Sequence, residues 1–164
     1  MKLIKNILFY CIFIFSFVIC EEVIVVDSTN IDKLEKLPDD TLKDLDNKRV
    51  SIYELIDSRP TLISFWFLAC EPCKKEMKYL DEFNKKYAES GFQVLSINTD
   101  GSRALSSVEP YVDSKKYSFK VLSDPRSRYQ RKLKGTSCPF TVMVDHKGII
   151  KARHVGYNSG DEKK

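Results

Sequence analysis

The chain has 164 residues, 43% hydrophobic and 30% charged, which is room for one modest domain with a packed core. Its formal net charge of +4 comes from 27 basic and 23 acidic residues spread along the chain, and nothing in that balance asks for nucleic acid. The two histidines, His146 and His154, lie far from the one CxxC pair and no second CxxC exists, so a zinc site lacks two of its four ligands.

Lys2 and Lys5 precede an apolar run over residues 7–20 broken only by Ser16, the charged start and apolar centre of a secretory signal. The run is too short to favour a spanning helix. Residues 1–20 are therefore expected to be a signal peptide or an N-terminal anchor, and residues 21–37 a linker. Cleavage after Cys20 puts Val18 and Cys20 where small residues are preferred, which leaves retention as an anchor open. Lipid modification of Cys20 is a third fate, because Val18-Ile19-Cys20 resembles a lipoprotein cleavage box without its small residues. The domain is expected over residues 38–164, in an exported protein that is periplasmic or tethered to the outer side of the cytoplasmic membrane. Without residues 1–20, 25 basic residues face 23 acidic ones, and the cysteines left are Cys70, Cys73 and Cys138. An odd number in an exported chain points to a working pair and one further thiol rather than a disulfide framework.

Residues 23–26 are a possible short strand. Ser51 caps a short helical pattern carrying Ile52, Leu55 and Ile56. Residues 61–68 are almost continuously apolar and read as a central strand buried on both faces. From residue 73 to 88, Met77, Leu80, Phe83, Tyr87 and Ala88 recur at helical spacing with lysines and acids between them, and Pro72 falls where a first turn tolerates it. Gly91 ends that helix, and residues 92–98 form the next strand. Asp100-Gly101 turns the chain into a second helical region reaching about residue 116, marked by Leu105, Val108 and Val112 and divided or kinked at Pro110. Residues 119–122 read as a short edge strand and residues 127–134 as a short helix closing at Gly135. Residues 140–144 and 149–155 are two strands joined by the turn Asp145-His146-Lys147-Gly148. The order is a βαβ unit followed by a ββ hairpin, an α/β fold with a mixed sheet flanked by helices.

Cys70-Glu71-Pro72-Cys73 stands where the apolar strand gives way to the helix. That placement brings two sulfurs within bonding reach and sets the first against the positive end of the helix, where a thiolate is favoured. Disulfide exchange is the reading that follows. The plainer alternative is an inert disulfide closing a short turn.

Phe65-Trp66, the run Cys70-Glu71-Pro72-Cys73-Lys74-Lys75-Glu76, the strand Val94-Leu95-Ser96-Ile97-Asn98 and Pro139-Phe140-Thr141-Val142-Met143-Val144-Asp145 followed by Gly148 resemble exported thioredoxin-like proteins of the TlpA/ResA type over residues 38–160. The resemblance implies a thioredoxin fold and a thiol:disulfide oxidoreductase that acts mainly as a reductant of disulfides in exported proteins. By analogy those include apocytochrome c before haem attachment, with electrons from a membrane thiol donor. It implies no cofactor, since the two sulfurs carry both electrons, and contact with a membrane only through the N-terminus.

In that scheme Cys70 is the attacking thiolate and Cys73 resolves the mixed disulfide. Pro139 resembles the family's cis-proline, whose loop presents backbone to an incoming peptide, and Glu71, Pro72 and Cys138 join Pro139 as residues facing the substrate. Glu71 opposes thiolate formation unless its charge points to solvent. Thioredoxin's buried acid on the preceding strand is replaced here by Ser64. Glu76, three residues after Cys73 and matching a glutamate of the ResA-like group, is the candidate acid/base; its ordinary reading is one more solvated charge. Two departures stand out: Ala69 takes the place of a Trp before the first Cys, and Cys138 places a third thiol beside Pro139. The residues from Gly156 onward read as a loop and the start of a helix that does not continue, so the family's closing C-terminal helix is expected to be missing from this chain.

Two other functions remain to be weighed. A copper(I)-binding chaperone would use Cys70, Cys73 and Cys138 as soft ligands. A peroxidase of the peroxiredoxin kind needs a lone reactive Cys in a Thr-rich turn rather than a CxxC.

Overall fold

A computed structural model of the chain describes residues 34–158 and residue 160. The expected signal, the possible strand at 23–26 and the last four residues lie outside the described residues. Seven strands make one mixed sheet: β1 (Thr41–Asp44), β2 (Arg49–Ser51), β3 (Thr61–Trp66), β4 (Gln93–Asn98), β5 (Lys120–Ser123), β6 (Phe140–Val144) and β7 (Ile150–Val155), in the order β2-β1-β5-β4-β3-β6-β7. β4 pairs parallel with β3 and β5; every other pairing is antiparallel. The helices are α1 (Ile52–Ile56), α2 (Glu71–Tyr87), α3 (Leu105–Lys115) and α4 (Arg128–Lys132). Long crossovers through α2 and α3 are what parallel neighbours require.

β3 is the central strand that its continuous apolar run predicts. Ile63 and Phe65 enter one core with Ile52 and Ile56 of α1, Tyr129 of α4, and Phe140, while Trp66 enters a second core with Cys73 and Met77 of α2, Val108 of α3, and Phe119. Successive side chains of a strand point to opposite faces, so only a strand covered on both sides can carry such a run. On α2, Cys73, Glu76, Met77 and Leu80 are buried at helical spacing and the lysines lie outside. A short 3₁₀ turn, Ala88–Ser90, follows α2, and Gly91 ends it at φ +80°, a conformation that glycine adopts without strain. Ser51 caps α1 by accepting the Glu54 N–H at 3.4 Å.

Three expectations change, and two strands are added that the sequence did not announce. β5 is not an edge strand, because β1 covers it on the side away from β4. β1 and β2, three or four residues each, carry too few alternating positions to stand out. α3 passes through Pro110 undivided, although Pro110 has no N–H for an internal bond of the helix. Packing also begins inside the segment read as a linker: Leu37 is 2% exposed, donates its N–H to Gly148 O at 2.8 Å, and follows Lys36, which bridges to Ile149. Among the described residues no helix follows β7, and none is long and apolar enough to cross a membrane.

Candidate active site

Phe65 of β3 pairs with Phe140 of β6. The segments leaving that pair, residues 66–70 on one side and 138–139 on the other, therefore emerge at one end of the sheet. Cys70 and Cys73 form a disulfide there, with Cα atoms 5.2 Å apart. Cys70 is the N-cap of α2, and its sulfur accepts the backbone N–H of Cys73 at 3.2 Å. An orphan donor of the helix start is thus satisfied by sulfur, and the same N–H favours a thiolate at Cys70 once the disulfide is reduced. Cys70 is 5% exposed and Cys73 fully buried, so Cys70 is the more accessible residue of the pair.

The end of β4 fixes the loop before Cys70. Asp100 Oδ2 accepts the Leu68 N–H at 2.7 Å and the Asn98 Nδ2–H at 2.8 Å, while the Thr99 N–H donates to Trp66 O at 2.8 Å. Cys70 N–H closes the turn onto Phe67 O at 3.0 Å. Ala69 is exposed, as expected of a position without an aromatic cover. Glu71 and Pro72 are exposed beside the pair, and Glu71 meets Lys74 Nζ at 2.7 Å. That hydrogen bond holds the Glu71 carboxyl below its ordinary range, so its charge is spent on a neighbour and on solvent rather than on the sulfurs.

Glu76 is only 7% exposed, which sets aside the reading of a solvated surface charge. Ser64 Oγ, fully buried on β3, donates to Glu76 Oε2 at 3.2 Å. The strand position that carries an acid in thioredoxin thus holds a hydroxyl that reaches a carboxyl supplied by the helix, one turn beyond Cys73.

The Cys138–Pro139 peptide bond is cis, as the resemblance implies. Pro139 O accepts the Gly156 N–H at 2.8 Å, which ties the loop to the end of β7. Cys138 is half-buried and packs against the core containing Cys70 and Cys73. Its sulfur receives Gln130 Nε2–H at 3.4 Å and lies 3.9 Å from Thr99 Oγ1. Burial raises its pKa, the nearby Glu76 and Asp100 carboxylates raise it further, and the contacts from Thr99 and Gln130 offset this only in part. Cys138 is therefore a thiol at neutral pH.

No three His, Cys, Asp or Glu side chains among the described residues group as a metal-binding cluster. With Cys70 and Cys73 tied to each other, the three-sulfur copper site has no donor set in this form of the chain.

Sequence reasoning passed over Asp100, Thr99 and Gln130. Asp100 was visible only as half of a turn, and Gln130 lies inside the charged stretch 126–134 with nothing to single it out.

The redoxin family model matches residues 33–164. The chain belongs to the redoxin family. It is 28% identical to the thioredoxin-like protein YneN of Bacillus subtilis over 127 residues, covering 77% of this chain and 73% of that one. It is 23% identical to the thiol-disulfide oxidoreductase ResA of Bacillus cereus over 128 residues, covering 78% and 72% of the two chains. Among solved structures it is similar to a thioredoxin-like protein of Porphyromonas gingivalis at 29% identity, with a TM-score of 0.66 over 77% of this chain and 84% of that one. This redoxin has the thioredoxin-like fold and is a thiol:disulfide oxidoreductase with a closely spaced cysteine pair.

Proposed function

We propose that the chain reduces disulfides in exported proteins, with Cys70 as the attacking sulfur, Cys73 as the resolving one and Glu76 as the acid/base. The observation that carries this reading is the position of Cys70 as the cap of α2, where its sulfur accepts the Cys73 N–H. In the reduced enzyme the Cys70 thiolate attacks a substrate disulfide, forming a mixed disulfide and releasing one substrate thiolate, which takes up a proton. Cys73 gives its proton to Glu76 and attacks Cys70 Sγ. The Cys70–Cys73 disulfide forms, the second substrate sulfur leaves, and the proton held by Glu76 is available to it. Two electrons pass from the pair to the substrate.

In this reading the loop of Cys138 and Pro139 presents its backbone to the substrate peptide, and the exposed Glu71 and Pro72 face it from beside Cys70. Ala69 leaves that surface open for a less tightly specified partner. The reducing direction is supported by the surroundings of the pair: one N–H donor at the Cys70 sulfur and a buried carboxyl on the same helix one turn beyond Cys73. The signal-like N-terminus supports an exported or tethered location and a membrane thiol donor as the source of electrons. Cytochrome c maturation is the narrower form of this reading and rests on the ResA-type resemblance alone.

Equilibration of the Cys70–Cys73 pair with a dithiothreitol redox buffer tests the direction. A potential near that of thioredoxin, about −270 mV, is expected; one near that of the strongest periplasmic oxidants, about −120 mV, overturns it.

A further inference from the structure

Apart from the disulfide, a cleft of about 620 Å³ opens between the β5–β1–β2 side of the sheet and the start of α3. Its cations come from separate segments: Lys43 on β1, Arg49 on β2, and Arg126 and Arg128 after β5. Lys43 is the register partner of both Arg49 and Ser123, so the three side chains form a row on one face of the sheet. Like charges directly opposite each other across two strands destabilise the pairing unless an anion lies between them.

Most of the opposite charge around the cleft is already engaged. Asp44 pairs with Lys120 at 3.3 Å and accepts the Lys48 N–H at 2.9 Å. Asp124 accepts the N–H groups of Arg128, Tyr129 and Gln130, and Arg128 pairs with Asp40 at 2.8 Å. Among the described residues Lys43, Arg49 and Arg126 are left without an ion pair, against the single unengaged carboxylate of Glu109. Ser123 supplies an independent sign of a ligand. It lines the cleft, is 8% exposed, and its Oγ has no hydrogen-bond partner among the described residues. A buried hydroxyl left unpaired is costly, and a ligand oxygen would satisfy it. α3 starts beside this row with Ala104 as its cap residue, which contributes no side-chain hydrogen bond to the first turn.

We propose that this cleft binds a small organic phosphate. The phosphoryl group is held by Lys43, Arg49 and Arg126 and accepts the Ser123 hydroxyl, in a pattern of charge-assisted hydrogen bonds. The volume exceeds what a phosphate ion fills, and Leu45 and Leu105 line the remainder for the organic body.

The test is amide NMR of the oxidised full chain titrated with phenyl phosphate, with inorganic phosphate, and with chloride at matched ionic strength. Saturable shifts at Lys43, Arg49, Ser123 and Arg126 are expected, with phenyl phosphate binding more tightly than inorganic phosphate. The double variant Arg49→Gln/Arg126→Gln should weaken phenyl phosphate by about tenfold or more while disulfide exchange is unchanged. Shifts that do not saturate, that chloride reproduces, or that survive the double substitution overturn the proposal. Equal affinity for the two phosphates overturns the assignment of an organic ligand.

Discussion

Two cysteine-bearing segments meet at one end of the sheet, and their sulfurs sit in contrasting surroundings. At the β3–α2 junction Cys70 stands at a helix start and receives a backbone N–H. At the β6 entry Cys138 is half-buried, raised in pKa by burial and by the Glu76 and Asp100 carboxylates, and held by two neutral side chains. In the proposed mechanism the same residue type, in contact with the same core, serves as the nucleophile in one segment and takes no part in the exchange in the other. What differs is where the unpaired dipoles of the backbone point, more than how deeply each sulfur lies.

The comparison breaks first at the pair itself. Cys70→Ser should abolish disulfide exchange, and Cys73→Ser should accumulate a mixed disulfide through Cys70, detectable by mass spectrometry of the trapped adduct. If Cys138 carried the trapped substrate instead, the roles assigned to the two segments would be reversed. Glu76→Gln should slow resolution of the mixed disulfide by about a hundredfold, the usual scale for a lost acid/base, and change its pH dependence. A pH profile that stays the same would remove Glu76 from the reaction.

The remaining effects concern the scaffold that presents Cys138. Gly135 lies against the Phe140 ring, and an added Cβ would approach Gln130 Cγ at 2.8 Å. Gly135→Ala should cost about 1–3 kcal/mol in denaturant unfolding and loosen Gln130 from the Cys138 sulfur. A variant as stable as the parent would show that this segment adapts and does not hold the thiol firmly.

Asp145, at the turn after β6, gives the smallest effect. Burial opposes its ionisation, yet the Ile149 and Lys147 N–H groups and the Lys151 ammonium draw its pKa from 3.8 down to about 2. Its folded value lies below its unfolded one, so its contribution to stability is complete above about pH 4 and is lost as pH falls through about 2. In urea melts at falling pH, Asp145→Asn should lack this part of the acid-induced loss. Equal acid sensitivity in parent and variant would show that the turn does not depend on that charge.

The redox junction was legible in the sequence because its signals are local. A continuous apolar run, a CxxC with Pro72, and lysines at helical spacing fix β3, Cys70 and α2 within a few residues. The hairpin of β6 and β7 was legible from Asp145 and Gly148 for the same reason. β1 and β2 were hidden by their length, and β5 was misplaced at an edge because only β1 covers it. Asp100, Thr99 and Gln130 were illegible for a different reason: Asp100 and Thr99 act through hydrogen bonds to residues more than thirty positions away, Gln130 through one across a loop, and no spacing records such bonds. Glu76 falls between these cases. Its spacing from Cys73 suggested a role, but its burial and its bond to Ser64 depend on α2 lying against β3.

Alkylation of the reduced protein as a function of pH, followed separately at Cys70 and Cys138 by mass spectrometry, tests the asymmetry most directly. The account predicts that Cys70 reacts with a midpoint below the ordinary thiol value of about 8.5 and Cys138 with a midpoint above it. A Cys138 midpoint at or below that of Cys70 would contradict it.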